Sequence, residues 1–250
     1  MTSNDSVRME KICYSVGGRK ILEDFDFQLE RGVNRTILGI SGAGKTTILK
    51  LLLGLLDPNS GSVFIGDLRI TGLPESSFIQ QRKRIAIVFQ GGALFDSMTV
   101  GENVGYRLFE EGQLSQTEIS AVVLEKLRFV GVEAALNLYP SELSGGMKKR
   151  VAIARALAAD PDYIFFDEPT TGLDPIGVYN ICNLMLRLQA EGKTTLMVTH
   201  DLATAFATSQ RFTFLHKARM LFEGSEEEMK ASSIPEVQEF LEPTDSSLFI

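Results

Sequence analysis

The sequence is poor in cysteine and has no long hydrophobic run. Its two cysteines, Cys13 and Cys182, lie far apart without a second candidate ligand nearby, which favours buried reduced thiols over a disulfide framework or a zinc site. The most apolar window, 48–56, is interrupted by Lys50 and Gly54 and falls short of the ~20 apolar residues that cross a bilayer. Any role at a membrane is therefore expected to depend on a partner.

An excess of positive charge is also missing. The 250 residues include 25 Lys and Arg against 32 Asp and Glu, which gives a formal net charge of −7. Because DNA or RNA binding usually needs a basic surface, we expect no nucleic acid partner. The first residues, MTSNDS, lack the basic start and apolar stretch of a secretory signal, which predicts a cytoplasmic protein. The apolar fraction of 44% is sufficient for a sizeable core.

The apolar pattern predicts an α/β fold. Residues 12–29 contain short alternations around Gly17 and Gly18, which is typical of an antiparallel hairpin. The stretch 91–159 is mostly helical in pattern, and strands and helices alternate over 163–215. This alternation indicates a mainly parallel sheet wrapped by helices. The acidic, polar segment 225–250 is predicted to be a C-terminal tail, either disordered or docked on a neighbouring subunit through its few apolar residues.

A phosphate-binding pattern follows the first predicted parallel strand. Residues 39–46 read GISGAGKT and match G-x-x-x-x-G-K-[ST], between a predicted strand at 35–39 and a predicted helix at 46–56. Glycines there let backbone N–H groups close on phosphate oxygens. Lys45 would reach the terminal phosphates, and the Thr46 hydroxyl would bind Mg²⁺. The pattern predicts binding of a nucleoside triphosphate.

Two carboxylates follow a buried strand further along the chain. Four apolar or aromatic residues at 163–166 precede Asp167 and Glu168, which would emerge at the carboxyl edge of the sheet, where such folds bind ligands. Asp167 could hold Mg²⁺ directly or through water, and Glu168 could accept a proton from an attacking water. The alternative is a strand that ends in a solvated turn.

A second phosphate cradle is predicted at Leu143-Ser144-Gly145-Gly146, before a predicted helix. Unpaired N–H groups, a serine hydroxyl and close backbone access all suit a phosphate. One nucleotide does not easily need two cradles from one monomer, so the pattern favours a head-to-tail dimer. The alternative is a helix cap with flexible glycines.

In this order the segments resemble the nucleotide-binding subunit of an ATP-binding cassette (ABC) transporter, over nearly the whole chain. The matching motifs are the Walker A loop at 39–47, the Q-loop at Gln90, the signature at 143–147, the Walker B strand at 164–168, the D-loop at Leu173-Asp174 and the switch histidine His200. The resemblance implies a P-loop ABC cassette with a RecA-like, mainly parallel sheet, an antiparallel β lobe and an inserted α-helical subdomain. The domain would cover 1–224, with the helical subdomain at about 91–159.

The resemblance also implies a role for each matching residue, with ATP and Mg²⁺ as ligands. The catalytic residues would be Lys45, Gln90, Glu168 and His200. The nucleotide ligands would be Tyr14, Gly39, Ser41, Gly42, Ala43, Gly44, Lys45, Thr46, Thr47, Ser144, Gly145, Gly146 and Asp174. The Mg²⁺ ligands would be Thr46, Gln90 and Asp167. Tyr14 would stack on adenine, with core packing as the alternative.

Two departures from the common family pattern point to a subgroup. Met147 stands where many relatives have glutamine, and Thr170-Thr171-Gly172 precedes the D-loop. The stretches QGGALFDSMTV at 90–100 and LSGGMKKR at 143–150 are most similar to the ATPase of Mla-type (MCE-associated) phospholipid transport systems. This similarity implies a homodimer, integral-membrane permease subunits and an MCE-type substrate-binding subunit as partners, at the cytoplasmic face of the inner membrane. The alternative is an amino-acid or other small-solute importer.

Two rival classes lack their expected features. Cassette ATPases that act on DNA carry a long coiled coil, and those that act in translation join two cassettes; neither is present in the sequence. A regulatory module that binds ATP without splitting it should lack Lys45 or Glu168, and both are present. Residues 94, 95, 98 and 100 are apolar and follow Gln90. We expect them to line a groove for a short helix of the permease.

Overall fold

A computed structural model describes residues 5–242. The chain forms two compact units. Unit 1 combines Met1–Arg82 with Thr194–Ile250, and unit 2 is Lys83–Lys193. Within the described residues, no helix is both long and apolar enough to span a bilayer.

The secondary structure alternates as an α/β pattern requires. Among the described residues, the strands are β1 (Ser6–Val16), β2 (Arg19–Glu30), β3 (Arg35–Leu38), β4 (Ser60–Ile65), β5 (Leu68–Arg69), β6 (Ile85–Val88), β7 (Tyr163–Asp167), β8 (Thr194–Thr199), β9 (Arg211–His216) and β10 (Arg219–Gly224). The helices are α1 (Lys45–Leu52), α2 (Ile79–Arg82), α3 (Val100–Glu111), α4 (Gln116–Val130), α5 (Gly145–Leu157), α6 (Pro175–Ala190), α7 (Leu202–Thr208), α8 (Glu226–Lys230) and α9 (Pro235–Leu241). Strand β10 is an element that the sequence pattern did not predict.

Unit 1 contains an antiparallel sheet in the order β2-β1-β4-β5. The predicted hairpin is confirmed: β1 and β2 are joined at Gly17 and Gly18, whose φ angles are 56° and 80°, the left-handed geometry of a tight hairpin turn. Where β4 crosses β1, Gly61 has φ of 94°, and a Cβ there would lie 2.4 Å from the Lys11 carbonyl oxygen. Only glycine permits so close a backbone approach.

Unit 1 also contains a second, mainly parallel group of strands. Strand β3 pairs in parallel with both β8 and β9, and β10 pairs antiparallel with β9. All four residues of β3 and all six of β8 are buried, as expected for strands of a parallel sheet that is covered on both faces. Leu38 at the end of β3 is in register with Thr199 at the end of β8. The segments that follow these two strands therefore start at the same edge.

Unit 2 pairs β6 and β7 in parallel, with Val88 in register with Phe166. Helices α3, α4 and α5 pack on one another in this unit. The predicted capping box at the start of α4 is confirmed: Ser115 accepts from the Glu118 N–H, and Glu118 caps the Ser115 N–H in return. The described residues therefore contain the parallel strands, the antiparallel sheet and the helices that the sequence pattern predicts.

The structure differs from the predicted tail over the described part of 225–250. Residues 225–241 contain α8 and α9, and Met229 and Val237 are fully buried. The Phe240 ring packs 4.9 Å from that of Phe214 on β9. Val237 and Phe240 are therefore covered within unit 1 and not by a neighbouring subunit, and Phe240 packs on strand β9 of the same chain. Residues 248–250, the other apolar group of the tail, lie outside the described residues.

This packing predicts that α9 contributes to the stability of unit 1. Val237→Asp places a carboxylate at a site with 0% exposure and should lower the free energy of unfolding by about 3 kcal/mol, because a buried polar group loses its hydration. The control is Glu239→Ala, at an exposed position of the same helix, with an expected change below ~0.5 kcal/mol. Urea unfolding measures both, and equal stabilities for the two variants would contradict the packing.

Candidate functional site

The predicted phosphate loop joins β3 to α1 in unit 1. Gly44 is the N-cap of α1 with φ of 108°, and Gly42 has φ of 77°, conformations that favour glycine. A Cβ on Gly39 would lie 2.6 Å from the Leu215 carbonyl oxygen. The loop is therefore a tight backbone turn that ends at a helix N-terminus, a geometry that directs N–H groups toward an anion.

Lys45 lies inside this loop. Its side chain is 6% exposed, and its Nζ donates to the carbonyl oxygens of Gly39 at 2.7 Å and Ile40 at 3.2 Å. Thr46 and Thr47 follow in the first turn of α1, which carries no acidic residue, so no carboxylate of that turn offsets the positive end of the helix dipole. The loop thus combines a cation, hydroxyl groups and backbone donors around a short turn.

A groove of about 340 Å³ adjoins the phosphate loop in unit 1. Its lining includes loop residues 40–43 and the charged side chains Arg19, Lys20, Glu23 and Lys217. Hydrogen bonds from Lys20 and Arg219 hold the pKa of Glu23 below its usual value, so the groove carries three cations and one carboxylate. Its net positive charge suits a phosphate-bearing ligand. No sequence motif pointed to these cations.

Tyr14 is half-buried on β1, opposite Leu22. It is not among the residues lining this groove in the part of the chain that the structure describes. Stacking of Tyr14 on adenine therefore stays a prediction, and so does its alternative of core packing.

His200 follows directly after β8 and is exposed. Because Leu38 and Thr199 are in register, His200 and Gly39 both begin segments at the carboxyl edge of the parallel strands of unit 1. That edge is where ligands bind in open α/β sheets. The structure thus brings the predicted switch histidine and the phosphate loop to one edge.

The predicted carboxylates lie at the corresponding edge in unit 2. Asp167 ends β7 and is 6% exposed, whereas Glu168 is half-buried and has φ of 48°. The Thr171 hydroxyl donates to Glu168 Oε2 at 3.2 Å. Gln90 is exposed two residues after the end of β6, whose Val88 is in register with Phe166. Gln90 and both carboxylates therefore leave the parallel strands of unit 2 at one edge.

The predicted signature forms the start of α5. Ser144 is the N-cap, and its side chain accepts from the Met147 N–H at 3.3 Å. A groove of about 440 Å³ in unit 2 is lined by Ser144, Gly145 and Gly146 together with the D-loop residue Asp174. Asp174 itself caps α6 by accepting from the Gly177 N–H at 2.7 Å. The second predicted cradle is therefore an exposed helix N-terminus that shares a groove with the D-loop.

A larger groove, of about 590 Å³, lies between α3 and α4 in unit 2. Its lining includes Met98, Tyr106 and Phe109, and Phe95 packs 4.9 Å from Tyr106. The expectation that Val100 lines a groove is wrong, because this residue begins α3 with its side chain fully buried.

Two polar side chains, which no sequence motif indicated, hold the loop after Gln90. Asn103 is fully buried, and its Nδ2, which carries two N–H donors, lies 3.0 Å from three carbonyl oxygens in the 95–99 loop, while its Oδ1 accepts from the Phe95 N–H at 2.8 Å. Arg155 donates to the carbonyl oxygens of Gly92 at 2.9 Å and Ala93 at 2.7 Å, and burial lowers its pKa. The only sequence signal was a polar residue on the apolar face of each helix.

No cluster of three or more His, Cys, Asp or Glu residues suited to a metal ion occurs within 5–242. This is compatible with Mg²⁺, which proteins usually hold through one or two carboxylates together with substrate phosphates. The predicted ligands offer donors of that kind, the Asp167 carboxylate, the Thr46 hydroxyl and the Gln90 amide oxygen, and their assignment to Mg²⁺ stays a prediction. Thr46 belongs to unit 1, and the other two belong to unit 2.

Comparison with known proteins gives consistent results. A family model described as "ABC transporter" matches residues 22–171. The chain is 37% identical to the intermembrane phospholipid transport system ATP-binding protein MlaF of Escherichia coli (strain K12), over 94% of this chain and 88% of the relative. It is 38% identical to the protein TRIGALACTOSYLDIACYLGLYCEROL 3, chloroplastic, of Arabidopsis thaliana, over 95% of this chain and 74% of the relative.

A more distant relative and a solved structure extend this similarity. The probable ribonucleotide transport ATP-binding protein mkl of Mycobacterium leprae is 34% identical over 94% of this chain and 68% of its own length. The ATP-binding cassette MJ0796, solved as a dimer in a post-hydrolysis state with ADP and Pi, matches with a TM-score of 0.81 and 32% identity, over 88% of this chain and 98% of the solved chain.

Proposed function

The chain belongs to the ABC transporter family as an ATP-binding and ATP-hydrolysing subunit, and we propose that it drives phospholipid transport by a membrane complex. The observation that carries the cargo class is the similarity to MlaF along 94% of the chain. The departure at Met147 from the common cassette pattern and the LSGGMKKR stretch at 143–150 support the same subgroup. The competing cargo class is a small solute. The similarity to mkl, a probable ribonucleotide transport protein, supports that class.

The phosphate loop has the features needed to bind the triphosphate of ATP. The N–H groups at the start of α1 and the Lys45 ammonium supply positive charge, and the buried position of Lys45 strengthens its field by excluding water. On ATP binding, Lys45 would exchange the carbonyl oxygens of Gly39 and Ile40 for phosphate oxygens. Ser41, Gly42, Ala43, Gly44 and Thr47 would add the remaining contacts of the loop.

Glu168 is the proposed general base. Its carboxylate would accept the proton of the water that attacks the terminal phosphate, while His200 and Gln90 would orient that phosphate and the water. Mg²⁺, held by Thr46, Asp167 and Gln90 when bound, would neutralise charge on the phosphate oxygens. Transfer of the phosphoryl group to water depends mainly on positioning and on charge stabilisation, which these side chains are suited to provide.

A second copy of the chain is the proposed partner at the signature. Ser144, Gly145 and Gly146 present an exposed helix N-terminus in a groove shared with Asp174, and such a terminus suits the phosphates of a nucleotide held by another chain. The dimeric state of MJ0796 supports a homodimer for this chain too. Each copy would then supply Ser144 and Gly146 to the nucleotide of the other.

Permease subunits are the proposed membrane partners, and they would hold the chain at the cytoplasmic face of the membrane. The groove between α3 and α4 combines apolar side chains, including Tyr106 and Ile119, with polar and acidic ones such as Glu102 and Glu110, and Phe109 is 66% exposed there. Exposed apolar grooves commonly accept a short helix of a partner. An MCE-type substrate-binding subunit would complete the complex.

Glu168→Gln tests the catalytic proposal. The substitution removes the base but keeps the size of the side chain, so ATP hydrolysis should fall by about 10²–10⁴-fold while ATP affinity is retained. Steady-state phosphate release and equilibrium ATP binding measure the two effects. Glu191→Gln, at an exposed position beyond α6, is the control and should hydrolyse ATP at the wild-type rate. Wild-type turnover by Glu168→Gln would refute the assignment.

Phe109→Asp tests the proposed permease groove. A carboxylate at an apolar contact would lose its hydration without gaining a hydrogen bond or an ion pair. The tagged variant should therefore lose membrane permease subunits during detergent purification and still bind ATP. Leu186→Asp on α6, where the leucine is 43% exposed, changes the same kind of residue outside the groove and should retain them. Equal recovery of permease subunits with both variants would argue against the groove.

Purification of the tagged wild-type chain from membranes tests the cargo class. We expect it to co-purify with integral-membrane subunits and with bound phospholipid, identified by mass spectrometry of the complex. Recovery of a permease with a small solute and no phospholipid would favour the competing importer function.

A further inference from the structure

Lys149 is a buried cation on α5, five residues after the N-cap Ser144. Its side chain is 7% exposed, and its Nζ donates to the carbonyl oxygens of Pro169 at 2.7 Å, Thr171 at 2.8 Å and Glu168 at 3.2 Å. An ammonium group has three N–H donors, so these bonds use its whole donor capacity. All three acceptors belong to the single turn that follows β7.

Burial of the Lys149 ammonium is costly unless hydrogen-bond acceptors replace the water that it loses. A desolvated ammonium is tolerated in a protein only where hydrogen-bond acceptors surround it. Burial lowers the pKa of Lys149, and the negative charge of Glu168 opposes that shift. The loss of hydration is thus offset by the carbonyl dipoles of the turn and by the Glu168 charge.

The turn that Lys149 contacts has an unusual backbone at the proposed base. Glu168 adopts φ of 48°, a left-handed conformation that is strained for a non-glycine residue. The Thr171 hydroxyl bond to Glu168 Oε2, at 3.2 Å, holds the carboxylate from the same turn. A conformation of this kind persists only where surrounding contacts enforce it. Lys149 supplies three such contacts to the backbone that carries Glu168.

We infer that Lys149 is a positioning residue for Glu168, joining the signature helix α5 to the turn that sets the orientation of the general base. This inference rests on the proposed function of Glu168. Lys149 touches neither the water nor the phosphate in this scheme, and its ammonium keeps its protons throughout. Its effect is to fix the backbone of 168–171 relative to α5, whose first residues are the proposed contact with the second nucleotide.

A second lysine of unit 2 provides a matched control. Lys193 donates to the Pro161 carbonyl oxygen at 2.9 Å and pairs with Asp160 at 2.6 Å. Both acceptors lie in the segment that enters β7, whereas Lys149 binds the turn that leaves it. Each lysine therefore holds one end of the same strand, and only Lys149 holds the end with Glu168.

The test compares Lys149→Met, Lys149→Arg and Lys193→Met in the full chain. We expect Lys149→Met to lower kcat for ATP hydrolysis by about 10–100-fold, since a small misplacement of a catalytic group has effects of that size. Its Kd for ATP should stay within about twofold of wild type, because ATP-binding contacts remain. Lys149→Arg keeps the cation and its donors and should restore part of the lost kcat. Lys193→Met should change kcat by less than about twofold.

Two results would overturn the inference. One is turnover by Lys149→Met within twofold of wild type. The other is an equal loss of kcat in Lys193→Met, which would mean that weakening either end of β7 lowers kcat. Urea unfolding accompanies each assay, and Lys149→Gln, which keeps two N–H donors, is judged by the same criteria if Lys149→Met does not fold. If Glu168→Gln hydrolysed ATP at the wild-type rate, the role of Glu168 itself would be refuted. That result comes from a different variant, so it is distinguishable from a failure of the Lys149 inference.

Discussion

Backbone pairing between parallel strands determines where the polar residues of this chain emerge. Leu38 is in register with Thr199 in unit 1, and Val88 with Phe166 in unit 2. These strands are almost wholly buried, so the residues able to meet a ligand are those at their carboxyl ends and just beyond. The phosphate loop, the switch histidine, the Q-loop glutamine and the two carboxylates all begin at such ends.

A second constraint acts on the loops at those edges. Loop carbonyl groups that are removed from water need hydrogen-bond donors, and in unit 2 side chains on helices supply them. Asn103 donates to carbonyl oxygens of the 95–99 loop, and Arg155 donates to those of Gly92 and Ala93. Lys149 donates to carbonyl oxygens of the turn at 168–171. Two of these donors lie on α5, the helix whose first turn is the signature. Helix α5 thus contacts both the segment that follows Gln90 and the turn that carries Glu168.

The chain carries the machinery for ATP and little that would recognise a cargo. The three grooves described above differ in the chemistry of their linings. The groove beside the phosphate loop carries a net positive charge, the signature groove includes the N-terminus of α5, and the groove between α3 and α4 has a mainly apolar surface. Only the last suits a hydrophobic surface, and its proposed occupant is a protein segment. The proposed cargo therefore comes from similarity to relatives, because the contacts that select a transported molecule would belong to other subunits.

Local features of the fold could be predicted from the sequence. The Gly17-Gly18 hairpin, the Ser115 and Glu118 capping box, the strand, loop and helix around Lys45 and the helix after Ser144 each depend on residues within a few positions of one another. Their motifs are contiguous, so spacing and residue type were sufficient. The order of these motifs along the chain was enough to identify the family.

Only the tertiary structure decided which residues meet across long sequence separations. Val100 is buried rather than lining a groove, Val237 and Phe240 pack within unit 1, and Lys149 meets carbonyl oxygens about twenty residues away. In the sequence, a buried lysine looks like any solvated one, and an apolar residue near the C-terminus does not reveal what covers it. Burial and hydrogen-bond partners depend on packing between distant segments, and that packing exists only in the folded chain.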